Sequence, residues 1–244
     1  MESKYNKFII TFLAKLDDGD VFKNIITLLF SISAYLLLFG GIYLTVNGIL
    51  GSDGFITSNI TVDNIAVGTA IGSSIGLLLG FLISLISVWI LFSILKKRSE
   101  QLKEVEYTGL IDYVFNKTLP KLILVIGELV FILVFYGGIL QIIASLAGSN
   151  VYAPLGGFPS IILNMLPGMD IFSQYTITQV YGDYDYFSEL ITMGISNVVA
   201  SFIILIAFYI YKEIYVYLLK LATNFIGFLP NFAIKLAIRT KNEN

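Results

Sequence analysis

The stretch AVGTAIGSSIGLLLGFLISLISVWILFSIL, residues 66–95, decides the fold. It holds no charged side chain, and about 20 apolar residues are enough to cross a bilayer as a helix. Within it Gly68, Gly72, Gly76, Gly80 and Ser84 recur at an unbroken spacing of four. On an α-helix, positions i and i+4 stack on one face, so these residues form a smooth groove about 24 Å long. In a bilayer such a groove lets another helix approach closely, and packing of that kind drives association where hydrophobic burial cannot. The stretch reads as a membrane span carrying a glycine-zipper packing face.

Composition agrees with that reading. Of the 244 residues, 57% are hydrophobic and 13% charged, against roughly 45–50% apolar and 25% charged in soluble domains. There are no cysteines, which removes disulfides, thiolate metal sites and Cys-ligated iron–sulfur clusters. There are no histidines, which removes the usual haem and zinc ligands and the commonest general base. No cofactor, no metal site and no catalytic residue is expected. No nucleotide-binding loop and no basic nucleic-acid face is present, so nucleic acid is not an expected partner.

Working outward, three further apolar runs flank the first. One spans 21–50 and contains Gly40 and Gly41; one spans 121–147 with Glu128, Gly137, Gly138 and Gln141; one spans 190–221 with Asn197. The predicted fold is an all-α integral membrane protein with four transmembrane helices. Residues 1–20 form an amphipathic surface helix, mixing Lys4, Lys7 and Lys15 with Phe8, Ile9, Ile10, Phe12 and Leu13. Residues 21–95 form a first transmembrane hairpin with an outer loop at 51–65. Residues 96–120 are a cytoplasmic connector, read over 99–120 as a short solvated helix and closed by Thr118 and Pro120, a cap and a start signal for the next helix. Residues 121–221 form a second hairpin with a long outer loop at 148–189. Gly227 and Pro230 break the last span, leaving 222–244 as an interfacial tail. Inside the long loop, Ser160 to Leu166 is apolar yet too short to span, which suits an interfacial or re-entrant turn.

Charge gives an orientation. All fifteen Lys and Arg residues lie in the first 23 residues, the 96–121 segment, the lower end of the fourth span or the tail. The two other loops carry Asp53, Asp63, Asp170, Asp183, Asp185 and Glu189 and no basic residue. The positive-inside rule places both termini in the cytoplasm, in a cytoplasmic (inner) membrane.

Spans one and three resemble each other: Phe39-Gly40-Gly41-Ile42 against Tyr136-Gly137-Gly138-Ile139, each followed by a glycine-bearing loop. The expected organisation is two parallel helical-hairpin repeats about an axis along the membrane normal.

Glu128 is the acidic residue inside a span, about 10 Å along the helix from Lys121. Intramembrane ionisable residues are expensive and mark function by default. No Lys, Arg or His inside a span is evident as its partner, so it is expected to bond a neighbouring helix or another subunit, or to carry a proton or cation. Gln141 and Asn197 are expected to bond adjacent helices. Lys96-Lys97-Arg98 is read as a topological anchor with affinity for anionic lipid. The leading expectation is a non-enzymatic subunit or scaffold of a larger envelope membrane-protein complex, docking other subunits or its own copies through the glycine ridge. The alternative is a small oligomeric channel or ion- or proton-coupled transporter using Glu128. An envelope enzyme working from the long loop is disfavoured, because that loop lacks a nucleophile–base pair.

Overall fold

Away from water every backbone N–H and C=O must be satisfied within its own segment, and a helix does this locally. The four apolar runs accordingly become helices. The computed structural model describes residues 10–11, 13–14, 18–50, 67–147, 158–175 and 186–242, the side chains of 49, 67–73 and 226–242 excepted. The expected outer loop at 51–65 and the parts of the long loop at 148–157 and 176–185 lie outside the described residues. So does most of the expected N-terminal helix, of which residues 10, 11, 13 and 14 are helical and exposed.

The elements are α1 (Asp20–Leu50), α2 (Val67–Lys103), a π-helical turn (Asp112–Thr118) that runs into α3 (Leu119–Ala147), α4 (Phe158–Met165), a 3-10 turn (Asp170–Tyr175) and α5 (Phe187–Asn242). No strand occurs among the described residues. Segments of α1, α2, α3 with its π-turn, and α5 are each long and apolar enough to cross a membrane. The chain is a multi-pass membrane protein.

The helices pack in a chain of neighbours, α1 on α2, α2 on α3 and α3 on α5. Ala34 of α1, Leu95 of α2 and Val125 of α3 meet in one buried cluster. Val130 and Val134 of α3 join Ile204 and Phe208 of α5 in another, which Leu163 of α4 and Met169 complete. The short apolar segment at 160–166 is packed into this second cluster. It folds as α4 with Pro159 and Leu163 buried, and Phe158 lines a cavity with Leu129 and Leu133 from the middle of α3.

Three boundaries depart from the sequence expectation. α2 does not stop at Lys96 but continues to Lys103. Lys and Arg are good helix formers, and Leu95, Ser99 and Leu102 keep the buried stripe going past them at helical spacing. The connector thus shrinks to an irregular piece at 104–109. Pro120 stands in the first turn of α3, but no separate helix is opened there by Thr118: both residues are buried, and helical backbone already runs into α3 from residue 110. A helix-interior proline lacks a donor and crowds the carbonyl four residues back. The wide π-turn ending at Thr118, where the Leu119 N–H reaches the Val114 carbonyl, sits where that conflict arises. Finally, Gly227 and Pro230 do not end the last helix, which continues to Asn242 over 56 residues. Proline kinks a helix whose hydrogen bonding resumes on either side, and membrane helices tolerate it. The expected separate tail is a continuation of α5, and at about 84 Å that helix exceeds the ~30 Å hydrocarbon thickness by far.

At the end where α1 starts, α2 stops and α3 starts, polar contacts clasp the chain. The Ser99 hydroxyl donates to the Thr27 carbonyl at 2.9 Å, Lys96 Nζ lies 5.5 Å from the Tyr35 ring centroid, and the Tyr107 hydroxyl donates to Asp20. Gly19 precedes α1 with φ +88°, and a Cβ there would meet Leu110 Cα at 3.2 Å. This position requires glycine both for its left-handed conformation and for the close approach.

Candidate functional site

Continuing the α2 helix past its basic cluster has a chemical consequence. Stepping down the buried face from Val88 through Leu91 and Leu95, the next residue at helical spacing is Arg98, which turns inward toward α3 instead of outward to solvent. There it meets Glu128. Arg98 Nε donates to Glu128 Oε2 at 3.1 Å, and Arg98 Nη2 donates to Glu128 Oε1, so both carboxylate oxygens are engaged in a fork. Arg98 Nη1 donates to Gln101 Oε1 at 2.8 Å, one turn further along α2. Lys121 Nζ donates to the Gln101 backbone carbonyl at 3.0 Å, a second tie between the end of α2 and the start of α3. The side chains of Arg98 and Glu128 keep 23% and 17% of their exposure, so the pair is largely but not wholly withdrawn.

This finding corrects the expectation that Glu128 has no cationic partner. Arg98 was read as part of an anchor, because the apolar run ends before it. The signal that identifies it is the buried stripe at 88, 91, 95 and 102, which places position 98 on the inner face.

The pair forms the polar floor of a cleft of about 330 Å³. Ile94, Lys97, Arg98 and Gln101 line it from α2, Glu128, Phe131 and Ile132 from α3, and Leu205 and Tyr209 from α5. The Phe131 ring also packs edge-on against Phe202 at 5.2 Å, which stiffens the α3–α5 wall. The cleft holds two cations against one carboxylate, and hydroxyl or thiol nucleophiles paired with a base are absent from its lining. What it can do chemically is bind and orient charge. No group of three or more metal-ligating side chains occurs among the described residues.

No family model, curated protein or solved structure matches the chain.

The remaining predicted positions are placed as follows. Gly76, Gly80 and Ser84 are buried within the chain itself. The next position of that row, Val88, lies against α1, where a Cβ on Gly41 would come within 2.7 Å of its methyl group. Gly68 and Gly72 lie on the helical backbone of α2, and their surroundings are outside the described residues. Gly40 has open space beside it and borders the apolar cavity that reaches Phe158.

A close backbone-to-backbone helix approach sits in the second hairpin. A Cβ on Gly138 would lie 2.8 Å from the Gly194 carbonyl oxygen and 2.9 Å from the Val198 nitrogen, so two backbones touch. Gly137 is buried beside it. Two turns and more toward the charged cleft, Gly127 receives the Phe208 side chain, whose Cβ is 2.5 Å from where its own Cβ would be. Neither Gly127 nor Gly194 stands in a regular row, so spacing alone does not single them out. Gln141 and Asn197 are both buried. Gln141 Nε2 reaches Ser145 Oγ at 3.4 Å within its own helix, while Asn197 Nδ2 is without a hydrogen-bond partner among the described residues.

Proposed function

We propose that this chain is a non-enzymatic multi-pass subunit or scaffold of a larger membrane-protein complex, whose two hairpins are locked together by the Arg98–Glu128 pair. The observation that carries the reading is the two-pronged engagement of Glu128 by Arg98. A carboxylate held by a guanidinium from the neighbouring helix ties α2 to α3, the junction between hairpins, and is not free to load and release a cation. The lining of the cleft supplies no nucleophile–base pair, which supports a role without covalent chemistry.

The hairpins are read as repeats. Gly41 packs on Val88 within the first and Gly138 packs on Gly194 and Val198 within the second, so the second glycine of each Gly-Gly pair does the same task. The basic end, carrying Lys96, Lys97, Arg98 and Lys121, faces the cytoplasm of an inner membrane by the positive-inside rule. The described part of the ridge, Gly76, Gly80 and Ser84, is covered within the chain, which supports its use in packing inside this chain.

A second reading keeps one specific observation in its favour: the pair opens into a cleft, as a gated ion or proton path requires. Mild-detergent purification followed by mass spectrometry of co-eluting proteins separates the two. A stable hetero-complex is the expected result. A homo-oligomer that conducts ions in liposomes, with conduction lost in Glu128→Gln, overturns the scaffold reading in favour of transport.

A further inference from the structure

The charged cleft has a composition that neither the interhelical lock nor subunit docking requires. Its lining is cationic on balance, with Lys97 and Arg98 against Glu128, while Ile94, Ile132 and Leu205 give it an apolar wall. Arg98 spends three of its five N–H groups on Glu128 and Gln101, which leaves one on each Nη for another acceptor. Lys97 is exposed at the rim. Tyr209 is 47% exposed and brings a ring with a polar tip, the side chain that suits a membrane–water boundary. The cleft also lies five residues from the end of α2, where an apolar span gives way to Lys96–Lys103.

We propose that this cleft binds one anionic glycerophospholipid, its phosphate between Lys97 and the remaining N–H groups of Arg98 and an acyl chain along Ile94, Ile132 and Leu205. Charge complementarity selects a phosphate, since a guanidinium fork and an ammonium are its standard partners. The apolar wall continuous with a span selects a lipid over a free ion, and basic pockets between spans are established lipid-headgroup sites. The bound lipid would neutralise the cationic excess of the cleft and brace α2 against α5 across α3. This inference does not depend on the chain being a complex subunit.

The test uses the full chain in mild detergent, titrated with mixed micelles of phosphatidylglycerol or of phosphatidylcholine. Melting temperature and native mass spectrometry are the readouts. Phosphatidylglycerol should give a saturable rise in melting temperature and one retained lipid, and phosphatidylcholine neither. Lys97→Gln should weaken binding about fivefold, Lys97→Arg should retain it, and Lys220→Gln, an exposed change on α5, should leave it unaltered. Equal stabilisation by both lipids overturns the proposal, as does an equal loss in Lys97→Gln and Lys220→Gln, which would mean diffuse surface attraction. Displacement of the lipid effect by millimolar inorganic phosphate also overturns it, since the site would then be one for a free anion.

Discussion

Breaking the Arg98–Glu128 pair by removing one partner should cost about as much as removing both. In Glu128→Gln the guanidinium stays in place with its charge uncompensated, and in Arg98→Gln the carboxylate does. Removing one partner of a buried ion pair costs about 3–5 kcal/mol, whereas an exposed pair contributes about 0–1 kcal/mol. With side-chain exposures of 23% and 17%, the pair belongs between these limits. Each single change is expected to cost about 2 kcal/mol, or about 4–8 °C of melting temperature for a chain of this size. The double change leaves no orphaned charge and should cost about the same as either single one, giving a coupling near 2 kcal/mol. The assay is a double-mutant cycle by thermal unfolding in detergent, with protein and lipid concentration held constant. A coupling below about 0.5 kcal/mol, within the scatter of independent sites, would refute a structural lock at this position.

Other expectations follow from particular contacts. Gly138→Ala drives a methyl group into the backbone of α5 at Gly194 and Val198, so it should destabilise by about 1–3 kcal/mol, whereas Gly40→Ala meets open space and should leave the melting temperature within about 1 °C; equal effects would mean the α3–α5 approach is not close. Gly76→Leu should lower the stability of the isolated chain because Gly76 is internally covered; a melting temperature within about 1 °C of the parent would mean that the ridge is not packed there. The Tyr107 hydroxyl, donating to Asp20, is pushed up to about 12 first by that hydrogen bond and then by desolvation. The sign is that of a raised pKa, so the stabilisation is complete below about pH 10 and fades as pH rises through 12. In an ultraviolet titration Asp20→Asn should move one tyrosine back toward 10, and an unchanged curve would rule out the contact.

The membrane class and the four spans were legible in the sequence because they depend on local properties. A run without charge, long enough to cover a bilayer, must satisfy its backbone by folding on itself, and no distant residue alters that. The end of each span was less legible, for a reason seen at Arg98 and at Pro120. Helix length past a charged or proline residue is set by whether the next turn has something to bury against, as Leu102 and the π-turn at Asp112–Thr118 do. The glycine row at 68–84 is a local pattern, but which helix lies against any part of α2 is a question of topology; one turn past the row, at Val88, the neighbour is α1.

Glu128 shows the division most clearly. From sequence it is an isolated acid in an apolar run, and its cost demands a partner without naming one. Arg98 lies 30 residues away across an irregular connector, and only the antiparallel return of α3 along α2 brings guanidinium and carboxylate together. An ion pair depends on distance in space, whereas sequence records distance along the chain. The residue types were readable in order; their meeting was decided by the fold.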